Sequence, residues 1–209
     1  CLTRPASVNT VLSKAYKDSL PKLIELVNLS ETELVLEIGS NDGLYSSFFV
    51  EMGFRCLGVD PASNLHENAV KLGVPTIVDF FSERLAENII AQHGQATIVV
   101  ANFVVANVDD LDDFISGVAK VLRPEGVFVM ETNYSLDIVS ELLVETLVHE
   151  HLSYFSVTSL APFLARHGLE LFEVQRTGSK AGSIRCFIQH IGSKFNVGKS
   201  VTDTKVFEL

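Results

Sequence analysis

Two short segments of this sequence concentrate residue types that could bind a ligand or move a proton. Residues 37–43 read Glu-Ile-Gly-Ser-Asn-Asp-Gly and follow an apolar run, so an acid leads into a loop that is bounded by two glycines. Residues 149–156 read His-Glu-His-Leu-Ser-Tyr-Phe-Ser and lie between two apolar stretches. The first pattern is typical of a ligand-binding turn, and the second suits general acid–base chemistry.

A further acid follows the glycine-bounded loop and extends its chemistry. Asp60 and Pro61 close the next apolar run along the chain. A strand, a turn that opens a helix, and a second strand that ends in a carboxylate form a half-site for a nucleoside, with the carboxylate able to accept from ribose hydroxyls. We therefore predict an adenosine-type cofactor. The alternative is that the loop is only a tight turn between a strand and a helix.

The loop lacks the residues that a pyrophosphate needs. The pattern Gly-x-Gly-x-x-Gly would require glycine where this chain has Asn41 and Leu44. The phosphate-cradling pattern Gly-x-x-x-x-Gly-Lys-Ser/Thr is absent from the sequence. A dehydrogenase that binds NAD is therefore disfavoured, and an adenosine without phosphates remains.

The acid at the strand end, the Gly-Ser-Asn-Asp-Gly loop at 39–43 and the later Asp60 together resemble the class I S-adenosylmethionine-dependent methyltransferases. The resemblance implies S-adenosylmethionine as the cofactor and S-adenosylhomocysteine as its product. It also implies a Rossmann-like α/β fold, with a mostly parallel sheet, helices on both faces and a C-terminal antiparallel β-hairpin.

In an open parallel sheet a ligand lies beyond the carboxyl ends of the strands, so the cofactor site is predicted from residues at those ends. Gly39 lets the backbone approach the methionine part, and Glu37 holds the ammonium group or orients the loop. Asp79 could accept from the adenine amino group, Phe80 packs on the ring or belongs to the core, and Asn102 lies at the sulfonium end or caps the next turn. The predicted cofactor-binding residues are Glu37, Gly39, Ser40, Asn41, Gly43, Asp60, Pro61, Asp79, Phe80 and Asn102.

The histidine-rich segment at 149–156 has two further interpretations. A metal site would need His-Glu-x-x-His spacing or a third ligand, and neither is evident in the sequence, so we expect no metal. A polar helix start capped by Ser153 or Ser156 explains the serines but leaves the two histidines unexplained.

Four motifs together resemble the deoxysugar C-methyltransferases, which act on nucleotide-linked keto sugars. They are Glu-Ile-Gly-Ser-Asn-Asp-Gly at 37–43, Gly-Val-Asp-Pro-Ala at 58–62, the segment at 149–156 and Gly-Ser-Ile-Arg at 182–185. The resemblance covers roughly residues 30–190 and implies that His151 is the general base, with Glu150 beside it. The other site residues predicted on this basis are Asn107 and Tyr154 in catalysis, and Tyr134, His149, Gly182, Ser183 and Arg185 at the substrate.

A base is essential only for a carbon acceptor. The methyl group on a sulfonium is already electrophilic, whereas a carbon beside a ketone must first lose a proton. The resulting enolate oxygen needs hydrogen-bond donors, for which Tyr134, Tyr154 and Asn107 are the candidates.

The chain departs from that family at three positions. Val148 stands where a tyrosine is usual, Asn107 where a histidine is usual, and Ala181 in place of the first glycine of a Gly-Gly-Ser turn. An O- or N-methyltransferase of a small metabolite therefore stays open, as does a non-catalytic S-adenosylmethionine-binding module. The family also carries an amino-terminal zinc domain and a carboxyl-terminal domain, so we expect the chain to be a piece of a longer protein.

Composition fits one soluble domain. The 209 residues are 47% hydrophobic with a net charge of −10, which argues against nucleic acid as a partner. No apolar stretch is long enough to cross a bilayer and no basic leader opens the chain, so we expect a cytoplasmic enzyme with a small-molecule substrate. The sequence from Leu169 onward contains six Lys or Arg residues and four acids, so its net charge is positive. This charge suits either the binding of an anionic substrate or a solvated surface. Cys1, Cys56 and Cys186 are interpreted as buried reduced thiols.

Strands and helices are predicted to alternate. Residues 1–30 form a helical lead-in interrupted at Pro21, with Tyr16 among its apolar positions, and residues 31–192 form the methyltransferase domain. Residues 193–209 are a C-terminal extension at which a further segment could begin. The predicted strands are 33–38, 54–59, 74–78, 96–101, 125–131, 169–176 and 182–190, and the helices are 43–52, 64–72, 81–93, 110–122, 136–146 and 157–167.

Overall fold

A mostly parallel sheet forms the centre of the fold. The computed structural model describes residues 5–8, 10–178 and 182–208, and within them seven strands pair in the order β3-β2-β1-β4-β5-β7-β6. The first five strands are parallel, and β7 runs antiparallel to both β5 and β6. The strands are β1 (Leu34–Ile38), β2 (Arg55–Val59), β3 (Thr76–Ile77), β4 (Ala96–Asn102), β5 (Leu122–Asn133), β6 (Leu169–Thr177) and β7 (Ser183–His190).

Helices cover both faces of this sheet. Alternate residues of each strand point to opposite faces, so Val35 packs with one apolar cluster and Leu36 with the other. One cluster includes side chains of α1 and α2, and the other includes side chains of α4, α5 and α7. The helices are α1 (Thr10–Val27), α2 (Leu44–Glu51), α3 (His66–Lys71), α4 (Glu83–His93), α5 (Leu111–Val121), α6 (Ser135–Ser140), α7 (Val157–Arg166) and α8 (Lys199–Phe207).

The predicted fold class is confirmed, including the antiparallel hairpin that completes the sheet. The turn of that hairpin includes residues 179–181, which lie outside the described residues, as does Cys1. Cys56 and Cys186 are buried and free, as predicted. None of the described helices is long and apolar enough to span a membrane.

Three predicted elements differ in extent. Helix α1 continues through Pro21, because the buried side chains of Leu20 and Leu23 hold it against the sheet despite the missing amide. The helix predicted at 136–146 ends early, since Leu142 adopts a positive φ of 52° that an α-helix cannot contain. Strand β3 is reduced to Thr76–Ile77 at the edge of the sheet.

Candidate active site

A cavity of about 630 Å³ opens at the carboxyl ends of strands β1 to β4. Its wall is built by the loops that follow these strands, together with residues of α1, α2 and α5. This is the position at which parallel sheets bind ligands. Ten of the predicted site residues line it: Glu37, Gly39, Ser40, Asn41, Asp60, Pro61, Asp79, Phe80, Asn102 and Asn107.

The loop between β1 and α2 depends on its two glycines. Gly39 and Gly43 have φ angles of 73° and 79°, in the left-handed region that favours glycine. A Cβ at Gly39 would lie 2.9 Å from the Cβ of Val104, and a Cβ at Gly43 would lie 3.1 Å from the Cα of Ala69. Gly43 therefore shapes the loop, although it does not line the cavity itself. Ser40 is buried, and its amide donates to the carbonyl of Val59 over 3.2 Å.

Asp60 joins the first loop to the second. Its Oδ2 accepts the amide of Asn41 over 2.8 Å, and its Oδ1 accepts the amide of Ala62 over 2.8 Å. Each carboxylate oxygen keeps a second lone pair, so Asp60 can hold the loops and still accept from a ligand. Asp42, which the sequence analysis did not single out, is buried and accepts the amide of Ser7 over 3.1 Å.

Glu37, on β1, is buried in the cavity wall and is hydrogen-bonded to the first turn of α2. The amide and the hydroxyl of Ser46 both donate to its Oε2, over 3.1 Å and 2.7 Å. Burial raises the pKa of Glu37 to about 8, and the nearby charges of Asp60 and Asp42 act in the same direction. The carboxyl group is therefore largely protonated at neutral pH, and a cation beside it would favour its ionisation.

The described wall of the cavity is strongly acidic. It contains six carboxyl groups and no Lys or Arg side chain, which favours a cationic ligand and disfavours a pyrophosphate. No group of three or more His, Cys, Asp or Glu side chains among the described residues could hold a metal ion. The six acids are Glu37, Asp60, Asp79, Asp109, Asp110 and Asp113.

Three polar or aromatic groups at the strand ends face this cavity. Phe80 is 73% exposed, so it is free to pack on a ligand, whereas its neighbour Phe81 packs edge-on against Phe114 in the core. Asp79 is exposed and accepts the amide of Phe80 over 2.8 Å. The Nδ2 atom of Asn102 is buried, and no described group accepts its hydrogens. A buried donor without a partner is costly, which suggests that a ligand completes this part of the wall.

The histidine-rich segment is anchored to the cavity rim by its backbone. The amides of Leu152 and Ser153 both donate to the carbonyl of Ala106, over 2.7 Å and 3.1 Å. Ala106 belongs to the 3₁₀ turn Val105–Asn107 that follows β4. Asn107, at the end of this turn, is exposed and lines the cavity. The segment itself does not line the cavity.

His151 is held in an orientation suited to a base. Its Nδ1 lies 3.0 Å from the carbonyl oxygen of Thr146, and its ring lies edge-on to Tyr154 with centroids 5.9 Å apart. A carbonyl oxygen only accepts, so Nδ1 carries the hydrogen in the neutral ring and Nε2 keeps its lone pair. The hydroxyl of Tyr154 donates to the same carbonyl over 3.3 Å, while His149 and Glu150 are exposed.

The predicted substrate residues of β7 lie on the sheet beside the cavity. Arg185 donates from Nε and Nη2 to Oε2 of Glu131, over 3.0 Å and 2.7 Å, and Thr177 donates to the other oxygen over 3.0 Å. Ser183 is buried. A Cβ at Gly182 would lie 2.8 Å from the side chain of Asp137, so only glycine fits there.

Tyr134, also predicted at the substrate, is fully buried. Its hydroxyl donates over 2.8 Å to Glu208, which also accepts the amides of Val157 and Thr158 over 2.7 Å and 2.6 Å at the start of α7. Tyr134 therefore joins β5 to the end of α8, and it does not line the cavity.

Sequence reasoning missed Tyr16 and Tyr45 at one end of the cavity. Tyr16 occupies an apolar position in the helical pattern of α1, and this pattern predicts only that its ring is buried. The rings of Tyr16 and Tyr45 meet edge-on with centroids 4.9 Å apart, and both residues line the cavity. Their hydroxyl groups provided the signal, because a tyrosine in a core position needs a polar partner.

Comparison with known proteins agrees with this geometry. Residues 11–174 match the family model of a methyltransferase domain. The chain is 34% identical over 180 residues to the C-methyltransferase NovU of Streptomyces niveus, covering 86% of this chain and 43% of the relative. It is 29% identical over 99 residues to the ubiquinone biosynthesis O-methyltransferase of Bartonella bacilliformis, covering 47% of this chain and 40% of the relative. The chain thus spans less than half the length of these two curated relatives.

The fold also matches solved structures. Magnesium protoporphyrin IX methyltransferase from Synechocystis, crystallised with bound S-adenosylhomocysteine, superposes with a TM-score of 0.64 at 16% identity, covering 86% of this chain and 87% of that one. At this identity the match shows a common fold. Together with the family model, it establishes that the chain belongs to the methyltransferase domain family and has the fold of the S-adenosylmethionine-dependent methyltransferases.

Proposed function

We propose that this domain binds S-adenosylmethionine in the acidic cavity and methylates a carbon atom of an activated keto sugar, with His151 as the general base. The observation that carries the proposal is the attachment of the His151 segment to Ala106, directly beside the cavity wall. The 34% identity to a C-methyltransferase supports a carbon acceptor.

The cavity suits the cofactor along its whole length. The cofactor is S-adenosylmethionine, which supplies an electrophilic methyl group on a positively charged sulfur. Asp60 accepts from the ribose hydroxyls, Asp79 accepts from the adenine amino group, and Phe80 packs on the adenine ring. Gly39 leaves room for the methionine part, and Asn102 lies near the sulfur end, where its unpaired Nδ2 hydrogens are available to an acceptor oxygen of a ligand.

His151 removes a proton from the acceptor carbon. Its Nδ1 is engaged with Thr146, so Nε2 is the atom that takes the proton. The electron pair of the broken C–H bond moves into an enolate, whose oxygen needs a hydrogen-bond donor. Of the three candidate donors, Asn107 lines the cavity, whereas the hydroxyls of Tyr154 and Tyr134 are engaged with Thr146 and Glu208.

The acceptor approaches from the side of β4, where the segment that contains His151 is attached to Ala106. The five aspartates around the cavity repel a pyrophosphate, so the nucleotide of a nucleotide-linked sugar lies outside it. Arg185 is neutralised by Glu131 and contributes by holding β7 to β5 rather than by pairing with a phosphate.

An O- or N-methyltransferase of a small metabolite is the second candidate. Asn107 and Val148 stand where the sugar C-methyltransferases usually have a histidine and a tyrosine. The similarity to an O-methyltransferase also favours this candidate. Such an acceptor would need no carbon-bound proton removed, and His151 would then be dispensable.

Proton removal and methyl transfer can be tested separately. We would incubate the protein with S-adenosylhomocysteine and a panel of keto sugars in deuterium oxide, and follow deuterium entry beside the ketone by NMR. The proposal expects exchange with the wild type, loss of exchange in His151→Gln, and retained exchange in the matched control His149→Gln. Methylation that persists in His151→Gln would instead support the O- or N-methyltransferase. Cofactor binding without any methylated product would support a non-catalytic module.

A further inference from the structure

The end of the cavity next to α1 contains a tyrosine hydroxyl that no described group engages. Tyr16 is 7% exposed and lines the cavity through its position on α1. The neighbouring hydroxyl of Tyr45 is already hydrogen-bonded to Ser19. Among the described residues, none forms a hydrogen bond with the hydroxyl of Tyr16, so this group is available to a ligand.

The charges around Tyr16 show which end of the cavity it occupies. The pKa of its hydroxyl is raised by burial and by the nearby charges of Glu37 on β1 and Glu131 on β5, and it is lowered by that of Arg185 on β7. The opposite end of the cavity contains Asp60 after β2 and Asp79 after β3, which are proposed to hold the adenosine. Tyr16 therefore lies where the amino-acid end of the cofactor must lie if the adenosine occupies the β2 and β3 end.

The amino-acid end of the cofactor brings a carboxylate into an acidic cavity. The described lining offers no Lys or Arg to pair with this carboxylate. Burial and the charge of Glu37 raise the pKa of Tyr16 above its ordinary value, so the hydroxyl keeps its proton and remains a donor. A Lys or Arg side chain here would form ion pairs with the acids of the cavity wall. The neutral hydroxyl of Tyr16 forms no such ion pair and can donate to the ligand's carboxylate.

We propose that Tyr16 binds the carboxylate of the cofactor's methionine part through its hydroxyl group. The inference rests on the proposed placement of S-adenosylmethionine in the cavity. It assigns to α1 a direct part in recognising the cofactor, besides its packing on α2. Glu37, on the neighbouring strand end, would then face the ammonium group of the same amino acid.

Two ligands that differ only in the amino-acid end test this assignment. S-adenosylhomocysteine contains the carboxylate, whereas S-adenosyl-3-thiopropylamine has the same nucleoside, thioether and ammonium group without it. We would titrate both into the wild type and Tyr16→Phe by calorimetry. The loss of one hydrogen bond to a charged group is expected to weaken S-adenosylhomocysteine roughly tenfold and to leave the decarboxylated ligand unchanged.

Tyr45→Phe is the matched control, since it removes a hydroxyl from the same aromatic pair that is already bonded to Ser19. It should leave the ratio of the two affinities at the wild-type value. The inference is overturned if Tyr16→Phe weakens both ligands equally or weakens neither. If the wild type binds neither ligand, the proposed function fails together with the inference.

Discussion

The carboxylate of Asp60 accepts the backbone amide of Asn41 over 2.8 Å, so the end of β2 fixes the loop that follows β1. Its second oxygen fixes its own turn through the amide of Ala62. Two loops of the cavity wall are therefore already joined before a ligand enters. Because these loops are ordered in advance, less conformational entropy is lost when a ligand binds.

Asp60→Ala is expected to weaken S-adenosylhomocysteine binding and to lower stability. The change leaves two backbone amides without their acceptor, which costs about 1–3 kcal/mol for each amide that stays buried. Calorimetric titration and thermal unfolding measure the two effects. Asp109→Ala is the control, because it removes the same charge from the cavity wall. Unlike that of Asp60, the side chain of Asp109 accepts no backbone amide of the described residues. Equal losses in the two variants would mean that charge alone matters.

Glu37 should make stability depend on pH. Burial raises its pKa from the ordinary 4.5 to about 8, so the folded chain keeps this proton at a pH where the unfolded chain has lost it. The stabilisation is complete below pH 4.5 and disappears as pH rises to about 8, with a slope of at most ~1.4 kcal/mol per pH unit.

Glu37→Gln should remove this pH dependence. The slope is measured by urea unfolding of the cofactor-free protein at a series of pH values from 5 to 8. The exposed Glu51→Gln should keep the wild-type slope. An unchanged slope in Glu37→Gln would exclude Glu37 as its origin. If Glu37 ionises to meet the cofactor's ammonium group, ligand binding at neutral pH should also release a proton, which calorimetry in buffers of different ionisation enthalpy detects.

Local sequence could predict the loops that line one side of the cavity but only part of the rest. The loop containing Gly39 and the position of Asp60 follow from strand ends and short spacing, which sequence patterns record directly. The hydroxyl of Tyr16 signals a polar environment, but its place in the cavity wall could not be predicted, since that environment forms only when β1, β5 and β7 assemble. Arg185 and Tyr134 find their partners at Glu131 and Glu208, 54 and 74 residues away along the chain, and no pattern fixes such pairs. The assigned roles of the site residues stay predictions until they are measured.

Gly39→Ala should abolish cofactor binding and destabilise the domain. A Cβ there would lie 2.9 Å from Val104, and the φ of 73° is itself unfavourable for alanine by about 1–2 kcal/mol. Gly168→Ala is the control for backbone strain, because Gly168 has the same φ of 73° and an added Cβ would meet no atom within 4 Å. Chemical denaturation should show a larger loss for Gly39→Ala. Equal losses of stability in the two variants would mean that the contact with Val104 does not contribute to the effect.

The buried pair of Arg185 and Glu131 decides whether Arg185 acts on the substrate or on the fold. Arg185→Met leaves Glu131 fully buried without its partner, which should cost about 3–5 kcal/mol in the free energy of unfolding. The double variant Arg185→Met with Glu131→Gln removes both charges and should recover much of this loss, as urea unfolding of the complete double-mutant cycle would show. A double variant that folds well, binds S-adenosylhomocysteine and retains the wild-type KM for the acceptor would assign Arg185 to the fold. A raised acceptor KM in that same stable variant would return Arg185 to the substrate site, whereas additive losses of stability would mean that the two side chains are not coupled.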